Sequence, residues 1–575
     1  MSGVLHKLQP GRKSLAALFL ALSAGFGFVA FIQFVIPRSK PEDQLLFGLS
    51  APRLFLALVW LGLLLLNLGA IWLLFKQKDF GQKALVAFTQ RQTLILGILY
   101  AGLFISGTFL LFMQPPVLRP FRSLVSTYIR LGGFLTWVFV ADLLLVALLR
   151  LLAAESLKQN HWVARLDTLL GALSLFCLTI FLYWQVAVFI NWVNKSRYAF
   201  WDLLVAQLLQ GKLYLENPPY THDLTFYNGK WYVPMPPLPA IVMLPIAYLF
   251  GVDNINPSLL SIVYSAINGV LVFLILRQLA QRKWLDLSWN GIFWLLVVFL
   301  FGTPHLWVGI SGRGWYVSQI LTVLCLALAV YAALRAWPAW AAGAFLGLAM
   351  LARPNSLMTW PFIFAIAMQI LRENQGKATW KQAFLWSVKS AIPVALAVLT
   401  LMTYNYLRFG NVRDFGYTTV NAGPDIIENV QKYGLFSLHF VPYNLYVMFL
   451  KLPKINWGVP WPAEPKGALW PIDPTTTGMS IFATTPVFFY LFRRYSKQWW
   501  VLGAWVAVLC NLVMLSLYSN TGAHQFGYRY VLDFITPLML MLAVGVGKKV
   551  PWHFAALTLL SIVINIYGAY WFMNG

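Results

Sequence analysis

Apolar runs of about 20 residues, separated by short basic gaps, fill most of this chain. Leu54 to Phe75, Gln92 to Met113 and Leu131 to Ala153 carry almost no charge, and as helices each would cross about 30 Å of hydrocarbon. The same reading predicts helices near 15–36, 53–75, 92–113, 130–153, 168–193, 258–280, 288–310, 315–335, 338–352, 356–371, 383–404, 478–492, 498–518, 530–547 and 552–573. The expected fold is therefore all-α and polytopic, with about fifteen membrane spans.

Leu238 to Phe250 is shorter and carries Pro239 and Pro245, so it is expected to lie in the interface or re-enter rather than cross. Treating it so decides the topology. With a cytoplasmic N-terminus, Arg277, Arg282 and Lys283, then Arg372, Lys377 and Lys381, then Arg493, Arg494 and Lys497, then Lys548 and Lys549 all fall on the cytoplasmic side, as basic loop residues prefer. Counting it as a span would invert every one of these clusters. Arg119, Arg122 and Arg130 fall outside, against the tendency. Lys7, Arg12 and Lys13 precede the first apolar run, which lacks a small-residue cleavage site and reads as a retained helix.

Composition narrows the class. With 60% hydrophobic and 10% charged residues, a soluble fold has too little polar surface to cover its apolar content. The net charge of +24 sits in the gaps between apolar runs, a topology signal that argues against a nucleic-acid partner. Cys177, Cys325 and Cys510 are isolated in apolar stretches and form neither a disulfide framework nor a metal motif. Asn194-Lys195-Ser196 is a sequon by pattern. A nucleotide-binding G-x-x-x-x-G-K-[ST] loop is missing, which argues against ATP-driven transport by this chain alone.

Two segments on the expected outer side, 194–237 and 405–477, are too long for simple connectors, and long loops are more often functional. Phe200 to Leu213 and Leu435 to Leu450 within them are amphipathic and aromatic, suited to lying in the interface. The first loop concentrates scarce acids: Asp202, Glu216 and Asp223, with His222 beside the last. A carboxylate there is either a solvated loop charge or a general base reaching an acceptor hydroxyl. Asn228-Gly229 signals a tight turn between aromatic arms, and the proline run 234–239 stiffens the entry into the interfacial helix, so Asp223 is expected on a rigid platform over the bilayer.

The order of D-L-x-x-Y-N-G-K-W-Y, P-P-L-P-A and an apolar segment ending Phe250-Gly251 resembles the first extracytoplasmic loop of the GT-C glycosyltransferases, enzymes similar to the dolichyl-phosphate-mannose protein mannosyltransferases and the aminoarabinose and arabinofuranosyl transferases of bacterial envelopes. GLAMLARPNSL (347–357), YNYLRFGNVRDFGY (404–417) and FGYRYVLDFITPL (526–538) agree in order, spacing and side. The resemblance implies a GT-C-like core over 168–547, an N-terminal extension over 1–167 and a final helix over 548–575. It implies inverting transfer of a sugar from a polyprenyl-phosphate donor to a glycan, lipid or protein acceptor, on the outer face of a bacterial cytoplasmic membrane. Asp223 takes the position of the family's catalytic base. The family's paired Asp-Glu at the start of the loop is missing here, so Asp202 stays as the alternative base and a divalent metal remains an open possibility. The lipid phosphate needs cations, and Arg353, Arg408, Arg413 and Arg529 fall on the outer side, where guanidinium suits phosphate through paired donors. Lys230, His222 and His524 are further candidates, and Arg313, between glycines in SGRGWY, lies outside the motifs. Trp457, Trp461 and Trp470 either stack on sugar or anchor the second loop. The competing classes are a polyprenyl-lipid or glycan flippase, which would show paired broken helices in two related halves, and a non-catalytic envelope assembly protein.

Overall fold

A computed structural model of the chain describes residues 161–190 and 198–574, less 457–471 and 523, together with residue 196 and short pieces between residues 44 and 72. The helices expected at 15–36, 92–113 and 130–153, most of 53–75, the Asn194-Lys195 pair, and Trp457, Trp461 and Trp470 lie outside the described residues. The chain divides into two units, 1–181 and 182–575. In the first, strands β1 (Gln44–Leu46) and β2 (Leu49–Ser50) pair antiparallel. Helix α1 (His161–Phe189) contains the division.

The second unit is mostly helical. Its elements are α2 (Trp201–Leu208), the hairpin β3 (Thr225–Tyr227) and β4 (Lys230–Tyr232), α3 (Leu238–Phe250), α4 (Pro257–Gln281), α5 (Trp289–Phe301), α6 (His305–Ser311), α7 (Gly314–Leu334), α8 (Ala339–Ala352), α9 (Trp360–Gln375) and α10 (Trp380–Phe409). Then come α11 (Pro424–Tyr433), α12 (Val441–Phe449), the short pair β5 (Lys454–Ile455) and β6 (Ile472–Asp473), α13 (Ile481–Thr484), α14 (Trp499–Leu517), α15 (Ile535–Val546) and α16 (Trp552–Asn574). Among the described residues seven helical stretches are long and apolar enough to cross a membrane, and an eighth results if α5 and α6, bent by 49°, count as one. The chain is accordingly a multi-pass membrane protein, although the described residues do not reach the expected fifteen spans.

One expectation needs correction. The helix expected at 478–492 is broken into α13 and a 3-10 stretch, Pro486–Phe492. Pro486 has no N–H to donate and pushes Thr485 out of the helical region, where its φ of −133° and ψ of 73° are found. A 3-10 turn rises about 2.0 Å per residue against about 1.5 Å, so the short segment still connects Ser480, bonded to the Lys451 carbonyl, with Arg493, bonded to the Gly545 carbonyl. Packing against α15 and α16 covers its irregular backbone, the condition for such backbone at membrane depth. The helices expected at 338–352 and 356–371 are present as α8 and α9, 14 and 16 residues long around a 3-10 turn, Pro354–Thr359, and each is short for a crossing. Helix α8 instead seats deeply against α10: a Cβ on Gly343 would stand 2.0 Å from the Ser390 carbonyl oxygen, and one on Gly347 3.0 Å from that of Pro393.

The basic gaps gather at one end of the second unit. Arg282 lies 3.8 Å from Glu373 and donates to the Leu334 carbonyl, Arg335 donates to Gln278, and Lys548 lies 3.4 Å from Asp286. The two long loops instead bind each other. Asp223 N–H donates to the Asn421 carbonyl at 2.9 Å, Asn421 N–H returns a bond to Leu224 at 2.7 Å, and the Thr225 hydroxyl donates to Gly416 at 2.6 Å. Both loops therefore sit on one side of any bilayer that the helices cross. A cysteine at the exposed Asn228 should react with an impermeant maleimide in sealed, right-side-out vesicles; reaction only after the membranes are opened would invert the topology.

Candidate active site

The first loop folds around the tight turn that its sequence signals. Asn228 and Gly229 take φ of 47° and 74°, the paired positive values of a type I′ turn, and join strands in which Phe226 packs on Trp231 at 4.8 Å. Beneath lies an apolar core in which Phe200, Trp201, Leu204, Leu224, Val233, Met235 and Val317 are nearly or wholly buried. The Trp201 indole donates to the Gly314 carbonyl at 2.9 Å and Gly314 N–H donates to Tyr198 at 2.9 Å, fastening the loop to the start of α7. Gly312 is required at the preceding bend: its φ is 63°, and a Cβ there would meet Ser258 at 2.2 Å.

Between the first loop, the second loop and the segment 518–530 lies a cavity of about 810 Å³. Asp223, His222, His524 and Arg529, all named from the sequence, line it together with Arg313. Asp223 has φ of 65°, a left-handed conformation that Asp and Asn tolerate better than most residues. Its side chain is about one-third exposed, and Oδ1 lies 3.9 Å from His222 Nε2, too far for a hydrogen bond. His524 is partly buried; burial and then the nearby Arg313 lower its pKa, opposed by Asp223, so near neutral pH it is an uncharged hydrogen-bonding group.

Arg529 is 4% exposed. Its Nε donates to the Gly522 carbonyl at 3.0 Å and one Nη to Gln319 Oε1 at 3.1 Å, both neutral acceptors. Among the described residues no carboxylate lies within ion-pair distance, so a desolvated guanidinium faces the cavity with unspent donors. Arg529 and Arg313 flank the Tyr316 ring, at 5.0 and 5.8 Å from its centroid, and Arg313 also lies 4.6 Å from that of Phe572. One part of the wall is apolar, formed by Ile426, Val430, Leu435 and Trp571. Another is aromatic, with Trp315 stacked on Tyr417 at 6.1 Å.

The other candidates lie elsewhere. Asp202 is buried in the first turn of α2, outside the cavity wall. Arg353 is tied to Asp533 at 2.8 Å, and Asp533 also accepts from Asn355 and Gln319. Arg408 is buried, donating to the Val233 carbonyl at 2.7 Å and to Asn405 at 2.9 Å, which braces the end of α10 against the first loop. Arg413 is exposed beyond the cavity wall, and Lys230 lies at the hairpin tip over the Tyr214 ring. Sequence reading missed Asp473, which lines the cavity from β6, and Tyr316 and Tyr530, which carry the arginines. The glycines around Arg313 were a usable signal for it. Among the described residues no group of three His, Cys, Asp or Glu side chains is placed to hold a metal ion.

No protein-family model and no curated protein match the sequence. Among solved structures, the oligosaccharyltransferase of Archaeoglobus fulgidus in its apo form is similar at 13% identity and a TM-score of 0.39, over 70% of this chain and 55% of that one. This chain thus spans about half the length of that structure, and a likeness at that level assigns neither fold nor activity, so the functional reading rests on the residues of the cavity.

Proposed function

We propose that the chain is a GT-C-like membrane glycosyltransferase that takes a sugar from a polyprenyl-phosphate donor in the cavity between its two long loops. The observation that carries this reading is the convergence of a partly exposed first-loop carboxylate, Asp223, with the cationic groups Arg529 and Arg313 in a single cavity that has an apolar wall and to which Asp473 adds a second carboxylate. Each part has a task in such a transfer. The two guanidinium groups hold the lipid phosphate, which leaves with the negative charge when the glycosidic bond breaks, so donors already in place stabilise that charge without reorganisation. Trp315, Tyr417 and Tyr198 offer faces for the sugar, and Ile426 and Val430 of α11 offer a surface for the first isoprene units. Asp223 takes the proton of the acceptor hydroxyl as it attacks the anomeric carbon from the side opposite the phosphate, which inverts the configuration. The acceptor proton ends on Asp223 and the bonding pair ends on the phosphate oxygen. Arg353 and Arg408 are given structural roles instead: Arg353 is paired with Asp533, and Arg408, outside the cavity wall, spends its donors on the Tyr404 and Val233 carbonyls and on Asn405.

Donor placement is testable without knowing the sugar. In a chain with Cys510→Ser, an Ile426→Cys variant should react with a maleimide, and polyprenyl phosphate in nanodiscs should slow that reaction several-fold. Labelling at the same rate with and without polyprenyl phosphate would place the lipid elsewhere.

A further inference from the structure

The donor-phosphate reading gives no task to Gln319, a polar side chain inside an apolar span. Gln319 sits in α7, wholly buried, in a stretch otherwise fit to cross a membrane. Burying an amide there is costly unless each of its atoms is satisfied, and here they are. Its nitrogen lies 2.9 Å from the Arg529 carbonyl oxygen and 3.3 Å from Asp533 Oδ1, two acceptors, so that atom is the NH2 group. Its oxygen is thereby turned toward Arg529, accepting from the guanidinium at 3.1 Å. Asp533 is held in turn by Arg353 and Asn355, both 2.8 Å from Oδ2. The chain of bonds runs Arg353 and Asn355 to Asp533, to Gln319, to Arg529.

We infer that Gln319 is a positioning residue for the anion site: it fixes the Arg529 guanidinium against the Tyr316 ring, and the Arg353–Asp533 pair locks its amide in the one orientation that does so. The inference rests on the proposed phosphate-binding role of Arg529. An amide suits the task because its oxygen orients the guanidinium without cancelling its charge. A carboxylate in its place would form an internal ion pair with Arg529 and compete with the incoming phosphate. The Asp533 carboxylate is committed to Arg353 instead, which keeps the two neighbouring arginines electrostatically different although both approach the Tyr530 ring, at 5.0 and 4.7 Å.

The test uses the full chain in nanodiscs with undecaprenyl phosphate as the probe, measuring affinity and thermal midpoint for wild type, Arg529→Ala, Gln319→Met, Gln319→Glu and the exchange Gln319→Glu with Asp533→Asn. Gln319→Met, close in volume, should weaken probe binding roughly tenfold, the size of one charge-assisted hydrogen bond. The exchange keeps net charge and a donor–acceptor pair between positions 319 and 533 but moves the anion onto Arg529. It should bind the probe at least as weakly as Gln319→Met while melting closer to wild type than Gln319→Glu alone, a split that a merely structural role would not produce. Wild-type affinity in Gln319→Met, or in a folded exchange variant, would overturn the inference, and should the exchange variant fail to fold, Gln319→Met decides alone. Unchanged affinity in Arg529→Ala would instead overturn the underlying phosphate assignment.

Discussion

Replacing Asp223 by Asn should lower turnover by about 10²–10⁴-fold, or about 3–5 kcal/mol of barrier, while donor affinity and folding hold. Asparagine is the informative substitution for a conformational reason. Asp223 has φ of 65°, where Asn is comfortable and Ala is strained, so alanine would disturb the backbone bonds to Asn421 as well as the chemistry. Asn preserves size and hydrogen bonding and removes the ability to accept a proton. The comparison is a single-turnover rate at saturating donor for Asp223→Asn and Asp202→Asn. Asp202, buried outside the cavity, should affect the rate only through stability. Normal turnover in Asp223→Asn together with loss in Asp202→Asn would move the base to Asp202, and normal turnover in both would favour a non-catalytic role.

The second large effect is expected at Arg529. Arg529→Ala removes charge-assisted hydrogen bonds to the donor phosphate, each about 1.5–3 kcal/mol, and should weaken donor binding by roughly 10–100-fold. Arg529→Lys should recover little of it. A lysine ammonium cannot reproduce a fork that simultaneously reaches Gly522, Gln319 and a phosphate. Arg353→Met should act chiefly on stability instead, lowering the thermal midpoint by leaving the fully buried Asp533 carboxylate without its cation, a change worth about 3–5 kcal/mol, with a smaller loss of donor affinity passed on through Gln319. Equal loss of donor affinity in the two arginine variants at unchanged stability would erase the distinction drawn between them.

How far the sequence carried this reading depended on the range of the forces involved. Membrane helices were legible because a long apolar run is a local property, and α4, α7, α10, α14 and α16 lie close to where hydropathy puts them. The hairpin at Asn228-Gly229 was legible for the same reason, since its turn chemistry is carried by two residues. The break at Pro486 was signalled by the proline but outweighed by the apolar run around it. Site membership was less accessible. Arg353 and Arg529 stand in equally suggestive motifs, and nothing local shows that Asp533 lies 2.8 Å from one guanidinium while the other faces a cavity. Asp473 and Tyr316 reach the cavity only because 472–477 and α7 meet there in three dimensions.

The most direct measurement is release of lipid phosphate from a panel of polyprenyl-phosphate sugars by the purified wild-type chain in nanodiscs, with glycan, lipid and protein acceptors supplied in turn. The expected result is acceptor-dependent release from one donor of the panel, with inversion at the anomeric carbon and loss of release in Asp223→Asn. Acceptor-dependent release that persists undiminished in Asp223→Asn, or no release from any donor by a chain that still binds polyprenyl phosphate, would contradict the assignment of the cavity as a glycosyl-transfer site.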